Sequence, residues 1–272
     1  MRSSRRRKKT PASADKSAIH RPTYSRVLLY NRKAEAKMQG SGRYGMEIGS
    51  EQWRRHLRRG AEALDVSVTG QQLDAFARHA EELLYWNRRT NLTAITDPAQ
   101  VAVKHFVDSL VPARFIADDA TVLDIGSGAG FPGIPLKVVL PNLKVALVDA
   151  SRKKITFLGH VIRLLGLTDI RAVHFRTGPS VSVDQARAVL GMGYDVVISR
   201  ALGSPEALAP MALPLLGDHG MIISMRGKAV PASKAVGMRI GPLIVADACD
   251  YRLPYDGPGR SLWCLKAGRS HR

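Results

Sequence analysis

The sequence predicts an α/β protein in which a doubly wound sheet of seven strands carries a small N-terminal helical cap. Two observations predict this fold. From Thr121 onward, short apolar runs alternate with helical patterns, which is typical of strands joined by crossover helices. Before Thr121, the apolar residues recur at helical spacing. A chain of 272 residues can bury a sizeable core in one or two domains.

The helical cap is expected over residues 46–115. Ser50 can cap a first helix, whose apolar residues Trp53, Leu57, Ala61 and Leu64 are spaced four, four and three apart. A second helix is expected over about Thr69–Asn87. Its apolar face contains Leu73, Phe76, Ala77, Ala80, Leu83 and Leu84. The pattern of Val101–Leu110 predicts a third helix, and the cap ends near Pro112.

The sheet is expected over residues 116–272, with a Rossmann-like order of elements. Five runs predict parallel strands, at 121–125, 144–148, 170–174, 194–199 and 220–225. Helices are expected between them, at 135–140, 151–165, 183–190 and 205–215. Two final runs, 242–247 and 261–266, predict antiparallel strands joined through a Pro/Gly-rich turn.

Residues 1–45 are predicted to be a disordered basic extension, because they hold 13 Lys/Arg, two acids and few apolar residues. Three interpretations stay open: a dispensable arm, a transit peptide, or a true start at Met46. The remainder is also basic, with 28 Lys/Arg against 21 Asp/Glu, and the whole chain has a net charge of +18. This balance favours a polyanionic partner such as a nucleic acid.

Other classes of protein are disfavoured by composition. The chain has no apolar run of 18 residues, so we expect no membrane span. Its two cysteines, Cys249 and Cys264, are too few for a disulfide framework or a zinc site, which favours a cytoplasmic protein without a structural metal.

A glycine loop follows the first predicted strand and marks the candidate ligand site. Gly126, Gly128, Gly130 and Gly133 come directly after the apolar run Thr121–Ile125. Glycine takes positive φ without strain and lets a ligand approach the backbone closely. A strand, such a loop and then a helix form the usual nucleotide-like site of an open α/β sheet.

Two ligands compete for this loop. Gly128, Gly130 and Gly133 match the dinucleotide fingerprint by spacing, but the glycine at the strand end is Gly126, and Pro132 falls where a helix should start. The longer loop suits a smaller cationic adenosine ligand, S-adenosylmethionine. Asp124 can then face its ammonium group.

Asp149 supports the same ligand from the next strand. It lies about 20 residues beyond the loop, where an acid is placed to accept hydrogen bonds from ribose hydroxyls.

Several motifs together resemble the small-subunit ribosomal RNA methyltransferase G family, also called glucose-inhibited division protein B. The similarity covers about residues 50–268. The motifs are Trp86-Asn87 with Asn91-Leu92-Thr93-Ala94-Ile95-Thr96, His105-x-x-Asp108-Ser109-Leu110, Asp124 through Leu136, Lys153-Lys154-x-x-Phe157-Leu158, and Ser199-Arg200-Ala201.

The resemblance implies a class I methyltransferase fold and N7 methylation of one guanine in 16S rRNA, with S-adenosylmethionine as the donor. It also implies a cytoplasmic enzyme without a metal, expected to be a monomer on the small ribosomal subunit. The residues expected to bind the cofactor are Asp124, Gly126, Ser127, Gly128, Gly130, Phe131, Asp149, Thr177, Gly178 and Arg200.

Two positions depart from the family pattern. The exit of the third strand typically carries an acid, and Gly178 stands there in this chain, which puts a carboxylate contact to adenine in doubt. Arg226 stands where Lys is common, and an arginine can still bind phosphate in a bidentate manner.

The implied chemistry needs no general base, because N7 of guanine already has a free lone pair. Asn91, Asp108 and Arg200 are candidates for the mouth of the site, although no catalytic residue is certain. His105 and Asp108 can instead brace the cap against the glycine loop. The residues expected to contact RNA are Arg88, Arg89, His105, Lys153, Lys154 and Arg226. Two alternatives remain: a methyltransferase for another RNA or a small molecule, and a non-catalytic RNA-binding protein.

Overall fold

The structure is a computed structural model that describes residues 46–178, 180–200, 204–227, 231–253 and 256–268, without the side chains of 256–258. The extension expected at residues 1–45 lies outside the described residues.

The cap contains two long helices and a third, irregular helical segment. The long helices are α1 (Glu51–Glu62) and α2 (Gly70–Thr90), which confirms the two helices expected here. The hydroxyl of Ser50 accepts from the amide of Trp53, so Ser50 is the N-cap of α1 as predicted. The third segment runs through α3 (Pro98–Gln100), a π-helix (Val101–Val107), α4 (Asp108–Leu110) and a 3₁₀ turn (Val111–Phe115).

The π-helix is a difference from the regular helix expected at 101–110. The amide of Asp108 donates to the carbonyl of Val103, five residues back. A period of apolar residues cannot distinguish this wider turn from an α-helical one. π-Helical turns are frequent at functional sites, and this one lies next to the glycine loop.

The sheet has the order β3-β2-β1-β4-β5-β8-β7-β6. Strands β1 to β5 are parallel to one another, and β8 is antiparallel to both β5 and β7. The strands are β1 (Thr121–Ile125), β2 (Lys144–Asp149), β3 (Ile170–His174), β4 (Tyr194–Arg200), β5 (Leu216–Arg226), β6 (Arg239–Ile240), β7 (Leu243–Leu253) and β8 (Asp256–Ala267).

The prediction of seven strands was therefore wrong by one. Strand β6 has only two residues and pairs with β7 across Gly241, whose φ is +57°. A two-residue strand carries no readable alternation, so the sequence could not predict it. Strand β8 also extends further toward its N-terminus than expected. A register shift between Tyr251 and Leu253 takes up the Pro/Gly-rich residues before Arg260.

Helices cover both faces of the sheet. On one face α5 (Gly133–Val139) and α6 (Arg152–Leu164) share a hydrophobic core with the cap. A side chain at Gly60 of α1 would clash with Val107, so this glycine allows the first helix to lie against the π-helix. The opposite face is covered by α7 (Val183–Leu190), α8 (Pro205–Ala212), the 3₁₀ turn Leu213–Leu215 and α9 (Ala232–Ala235).

The apolar cluster is continuous from the cap to the sheet, while the division into domains at residue 115 stays a prediction. Every helix in the described part of the chain is too short or too polar to cross a membrane.

Candidate functional site

The glycine loop lies at the carboxyl end of β1, in the centre of the parallel sheet. Gly126, Gly128 and Gly130 have φ values of +75°, +59° and +95°, which side chains rarely adopt. The positive-φ turn predicted from the glycines is present at this edge.

The amides of this loop are used within the protein. Gly126 and Ser127 donate to the carbonyl of Val148, while Gly130 and Phe131 donate to the carbonyl of Ser127. The amide of Gly128 donates to Oδ2 of Asp149 over 3.1 Å. A pyrophosphate site needs outward-pointing amides, so this geometry disfavours the dinucleotide. It suits a ligand that needs close approach without phosphate contacts.

Three glycines of the loop serve two different purposes. A side chain at Gly130 would clash with Ile134, and one at Gly133 would clash with Leu147 and Asp124. A Cβ at Gly128 would meet only the carbonyl of Gly126, at 3.9 Å. Gly130 and Gly133 therefore serve packing, while Gly128 presents an open backbone surface that a ligand can approach.

Two carboxylates, those of Asp124 and Asp149, accept hydrogen bonds from amides of the loop. Asp124 is fully buried, and its Oδ2 accepts from the amide of Gly133 over 2.9 Å. Its Oδ1 is buried and accepts no hydrogen bond from the described residues. Burial raises the pKa of Asp124 to about 7, against the lowering effect of the Gly133 amide. A buried acceptor of this kind fits a cationic ligand, although the predicted contact to the ammonium group stays a prediction.

Asp149 already has three partners in the structure. Besides the amide of Gly128, it accepts from the amide of Ser151 over 2.8 Å, and Nζ of Lys154 lies 3.4 Å from its Oδ2. Its first role is thus to hold the loop against α6. The predicted contact with ribose hydroxyls is not tested by these bonds.

The ring of Phe131 carries two imidazoles. His79 of α2 stacks on Phe131 with centroids 4.8 Å apart, and His105 of the π-helix stacks on it at 4.6 Å. Burial lowers the pKa of His79 to about 4 and that of His105 to about 3, so both rings are neutral at pH 7. These three residues form what we call the imidazole–phenyl stack.

Arg200 lies over the same ring at the end of β4. Its guanidinium carbon is 5.3 Å from the centroid of Phe131. One guanidinium nitrogen donates to the carbonyl of Lys104 over 2.9 Å and to Oδ2 of Asp108 over 3.3 Å. The predicted cofactor residue is therefore held beside the loop by the cap.

Asp108 is a buried hub of polar contacts rather than an exposed group. Its side chain is 1 % exposed, and Tyr251 of β7 donates to its Oδ1 over 2.9 Å. Arg260 of β8 lies 3.6 Å from its Oδ2, in addition to Arg200. The position favours a bracing role for Asp108 over direct contact with a base.

The residues that follow β3 are less closely packed than the glycine loop. Thr177 and Gly178 are half-buried, and a Cβ at Gly178 would meet nothing within 4 Å. The backbone at residue 178 thus leaves space for the first atom of a side chain.

A basic surface adjoins the glycine loop. Along α2 and α6, Arg78 donates to the carbonyl of Leu164, Glu82 pairs with His160, and Trp86 packs against Phe157. Residue numbers in these pairs rise along α2 and fall along α6, so the two helices are antiparallel.

This register places the last turn of α2, with Arg88 and Arg89, beside the first turn of α6, with Lys153 and Lys154. We call these four residues the basic surface. It begins next to Asp149, because Nζ of Lys154 contacts that carboxylate.

The predicted site residues fall into three groups by exposure. Asn91, Arg88, Arg89 and Lys153 are exposed; Gly126, Gly128, Lys154, Thr177, Gly178, Arg200 and Arg226 are half-buried; His105, Asp108, Asp124, Ser127, Gly130, Phe131 and Asp149 are buried. His105 is 7 % exposed, so a direct RNA contact by its ring would require this segment to move. Arg226 lies over the ring of Trp263, 4.3 Å from its centroid, at the end of β5.

Sequence reasoning missed His79, Tyr251 and Arg260. His79 lies on the apolar face of α2, three residues after Phe76, and this position was the one available signal. Tyr251 and Arg260 reach the site through the pairing of β7 with β8, which no local pattern predicts. Among the described residues, no three His, Cys, Asp or Glu side chains are grouped to hold a metal ion.

The fold and the loop together define the class of protein, a class I methyltransferase. The parallel half-sheet ends in a glycine loop with internally bonded amides, and an antiparallel strand closes the other side.

The chain belongs to one family within this class. Residues 72–235 match the model of the family described as rRNA small subunit methyltransferase G. The resemblance found in the sequence is thus confirmed, and with it the dependence on S-adenosylmethionine.

Two relatives illustrate the likeness. A ribosomal RNA small subunit methyltransferase G from Geobacter sulfurreducens is 39 % identical over 212 residues, covering 76 % of this chain and 94 % of the relative. One from Geotalea uraniireducens is 42 % identical over 207 residues, covering 75 % and 91 %. A solved S-adenosylmethionine-dependent methyltransferase from Aquifex aeolicus is 15 % identical, with a TM-score of 0.43, covering 65 % of this chain and 97 % of that one. The likeness to this solved structure assigns neither a substrate nor an activity to the chain.

Proposed function

We propose that this chain transfers the methyl group of S-adenosylmethionine to N7 of one guanine in 16S rRNA of the small ribosomal subunit. The family supplies the reaction class, and the proposal adds the residues that serve each ligand. We also propose that it acts as a cytoplasmic monomer.

The contact between the basic surface and the glycine loop carries the proposal. Nζ of Lys154 lies 3.4 Å from Oδ2 of Asp149. The same oxygen accepts a hydrogen bond from the amide of Gly128. A cation of the basic surface and the backbone of the ligand loop thus share one carboxylate. RNA phosphates on Arg88, Arg89 and Lys153 would therefore lie close to a donor bound at Gly128.

An exposed aromatic adjoins this surface. Tyr85 of α2 is 62 % exposed and lies four residues before Arg89 on the helix. An exposed phenol ring beside cations is suited to stacking on an unpaired base. An N7 target must be unstacked before it can reach the site, which costs a few kcal/mol.

The transfer step makes few demands on the protein. The lone pair of N7 forms a bond to the methyl carbon while the carbon–sulfur bond breaks, and the sulfonium charge passes to the purine. No proton moves, so the neutral rings of His79 and His105 need not act as bases. Alignment of the two reactants by the protein can supply roughly 7–11 kcal/mol.

The residues of the chain then serve to bind and orient. Gly128 provides the open backbone surface, and Asp149 keeps that surface in place. Arg200 is held over Phe131 by Asp108 and the carbonyl of Lys104, which fixes a cation beside the loop. A fixed cation suits a phosphate or the carboxylate of the donor.

The test is methyl transfer from labelled S-adenosylmethionine to 16S rRNA purified from a strain that lacks the gene. Free rRNA, precursor particles and mature small subunits are compared as acceptors. Digestion to nucleosides and mass analysis is expected to find the label in 7-methylguanosine. Label in another nucleoside would contradict N7 transfer, and no label in any acceptor would contradict the proposed substrate. A single light-scattering mass of about one chain would support the monomer.

A further inference from the structure

A chain of contacts begins at the partly exposed loop of residues 91–96, which follows the basic end of α2. The side-chain amide of Asn87 donates to the carbonyl of Thr93 and accepts from its amide, both over 2.9 Å. This pair of bonds fixes the loop on the helix. The hydroxyl of Thr93 lies 3.0 Å from Nε2 of His105, within hydrogen-bonding distance.

The contacts continue from His105 into the glycine loop. Its ring stacks on Phe131 at 4.6 Å with an interplanar angle of 12°. His79 stacks on Phe131 at 4.8 Å and 10°, and its Nε2 donates to the carbonyl of Ala129 over 2.9 Å. Thr93 and the segment Ala129–Phe131 are thus joined by the imidazole–phenyl stack.

The polar atoms explain why imidazoles occupy these positions. Two phenyl rings could stack on Phe131 as well, but they would make neither hydrogen bond. The imidazole of His79 bonds to the glycine loop, and the imidazole of His105 bonds to the loop that follows the basic surface. Both rings are buried and neutral, so they add no charge beside Arg200.

We propose that His79 and His105 are positioning residues that couple RNA binding on the basic surface, through the loop of residues 91–96, to cofactor binding at the glycine loop. The proposal rests on the proposed function, because both ligands must bind this chain. RNA bound on Arg88 and Arg89 holds the end of the helix to which Asn87 fastens Thr93, and so holds the contact between Thr93 and His105. His105 in turn holds Phe131 and the backbone under the ligand. By linkage, each ligand then raises the affinity of the other by the same factor.

The coupling is measured as a ratio of two dissociation constants. Calorimetry gives the dissociation constant of S-adenosylhomocysteine, which cannot transfer a methyl group, with and without saturating 16S rRNA. Wild-type protein is expected to bind this ligand at least about 5-fold more tightly when RNA is present. A ratio of one for the wild type would overturn the proposal.

Thr93→Val removes the hydroxyl and keeps the shape of the side chain. We expect the ratio to fall close to one, while affinity for S-adenosylhomocysteine alone changes less than about 2-fold, because residue 93 lies outside the glycine loop. Thr96→Val is the matched control, since Thr96 is exposed in the same loop. A Thr93→Val protein with the wild-type ratio, or a Thr96→Val protein that loses it, would overturn the proposal.

His79→Phe and His105→Phe test the two ends of the stack while keeping an aromatic ring. Both are expected to lower the ratio, and His79→Phe is also expected to weaken S-adenosylhomocysteine binding without RNA, because the bond to Ala129 is lost. If both variants keep the wild-type ratio, the proposal is wrong. Combining Thr93→Val with His105→Phe should cost no more coupling than either change alone, since both remove the bond between Thr93 and His105. Thr93→Val also removes the acceptor of the Ile95 amide, a bond that stays within the loop.

This outcome is separable from the proposed function. Normal transfer to 16S rRNA without any coupling would overturn the positioning role and leave the activity intact. Failure to methylate any form of 16S rRNA would overturn the activity instead.

Discussion

The glycine loop and the basic surface lie side by side, but they are built in opposite ways. In the loop, six amides donate hydrogen bonds to other groups of the protein, and the rings of His79 and His105 pack on Phe131. In the basic surface, Arg88, Arg89 and Lys153 are exposed to solvent. A small ligand gains affinity from a cradle that is rigid in advance, whereas RNA can be attracted by charge and adjust on contact.

This difference predicts that the two surfaces respond separately to mutation. Changes in the loop should alter cofactor affinity and stability. Changes in the basic surface should alter RNA affinity and its dependence on salt. The following predictions run from the largest expected effect to the smallest.

Gly128→Val should weaken S-adenosylmethionine binding by about 100-fold, equivalent to about 2.7 kcal/mol. The β-branched side chain is strained at φ +59° and would occupy the open backbone surface. Calorimetry measures the affinity, and filter binding measures RNA. Gly166→Val is the matched control, because Gly166 has φ +63° and open space but lies at the far end of α6. Loss of RNA binding together with cofactor binding would show that the two surfaces are not separable.

Asp124→Asn should change how stability depends on pH. The folded-state pKa of Asp124 is raised to about 7, so between pH 4 and 7 the folded protein keeps a proton that the unfolded chain releases. Asp124 therefore destabilises the fold progressively as pH rises through this window, and the amide variant does not. Urea unfolding should show the variant gaining roughly 3 kcal/mol on the wild type between pH 4.5 and 7.5.

Other buried groups do not obscure that comparison. His79 and His105 have lowered pKa values, so they favour the folded state more as pH rises from about 4 to 6.5, opposite to Asp124. They are present in both proteins and cancel in the difference. A difference that is constant with pH would show that Asp124 is ionised throughout.

Replacing Arg89 and Lys153 together by Gln should reduce the salt dependence of RNA binding. If each neutralises one phosphate, the log–log slope should fall by about 1.5. Titrations at several salt concentrations measure the slope, and cofactor affinity without RNA should stay at the wild-type value. Arg163→Gln is the control, since Arg163 is exposed in the last turn of the same helix. An equal loss of slope in the control would argue against a local RNA site.

Gly178→Glu should tighten S-adenosylmethionine binding by about 2- to 10-fold. A Cβ at this position meets nothing within 4 Å, so a side chain can start from residue 178 without a clash at its first atom. One added hydrogen bond to the adenine amine would contribute about 0.5–1.5 kcal/mol. Gly178→Ala separates the carboxylate from the effect of a stiffer backbone. Equal affinity of all three proteins would show that the β3 exit does not contact the adenine.

The sequence predicted what local patterns encode. The first five strands, the cap on α1 by Ser50 and the positive φ of the loop glycines all follow from short-range rules. The internal bonding of the loop amides could not be predicted, because it depends on where β2 ends relative to β1.

The contacts around Asp108 could not be predicted from the sequence either. Its motif suggested a residue at the mouth of the site, and its burial arises from Tyr251 and Arg260, which are distant in sequence. The two-residue strand β6 and the π-helical turn at Val101–Val107 left no distinctive pattern either.

The position of β8 between β5 and β7 has a genetic consequence. A premature stop after Leu253 would leave every glycine of the ligand loop in the translated product, yet it would delete the one strand that joins β7 and β6 to β5 in the described sheet. It would also strip Asp108 of Arg260 and leave Tyr251 without its neighbouring strand. Nonsense alleles that stop translation before β8 should thus behave as complete nulls, and immunoblots of such strains should show little accumulated protein.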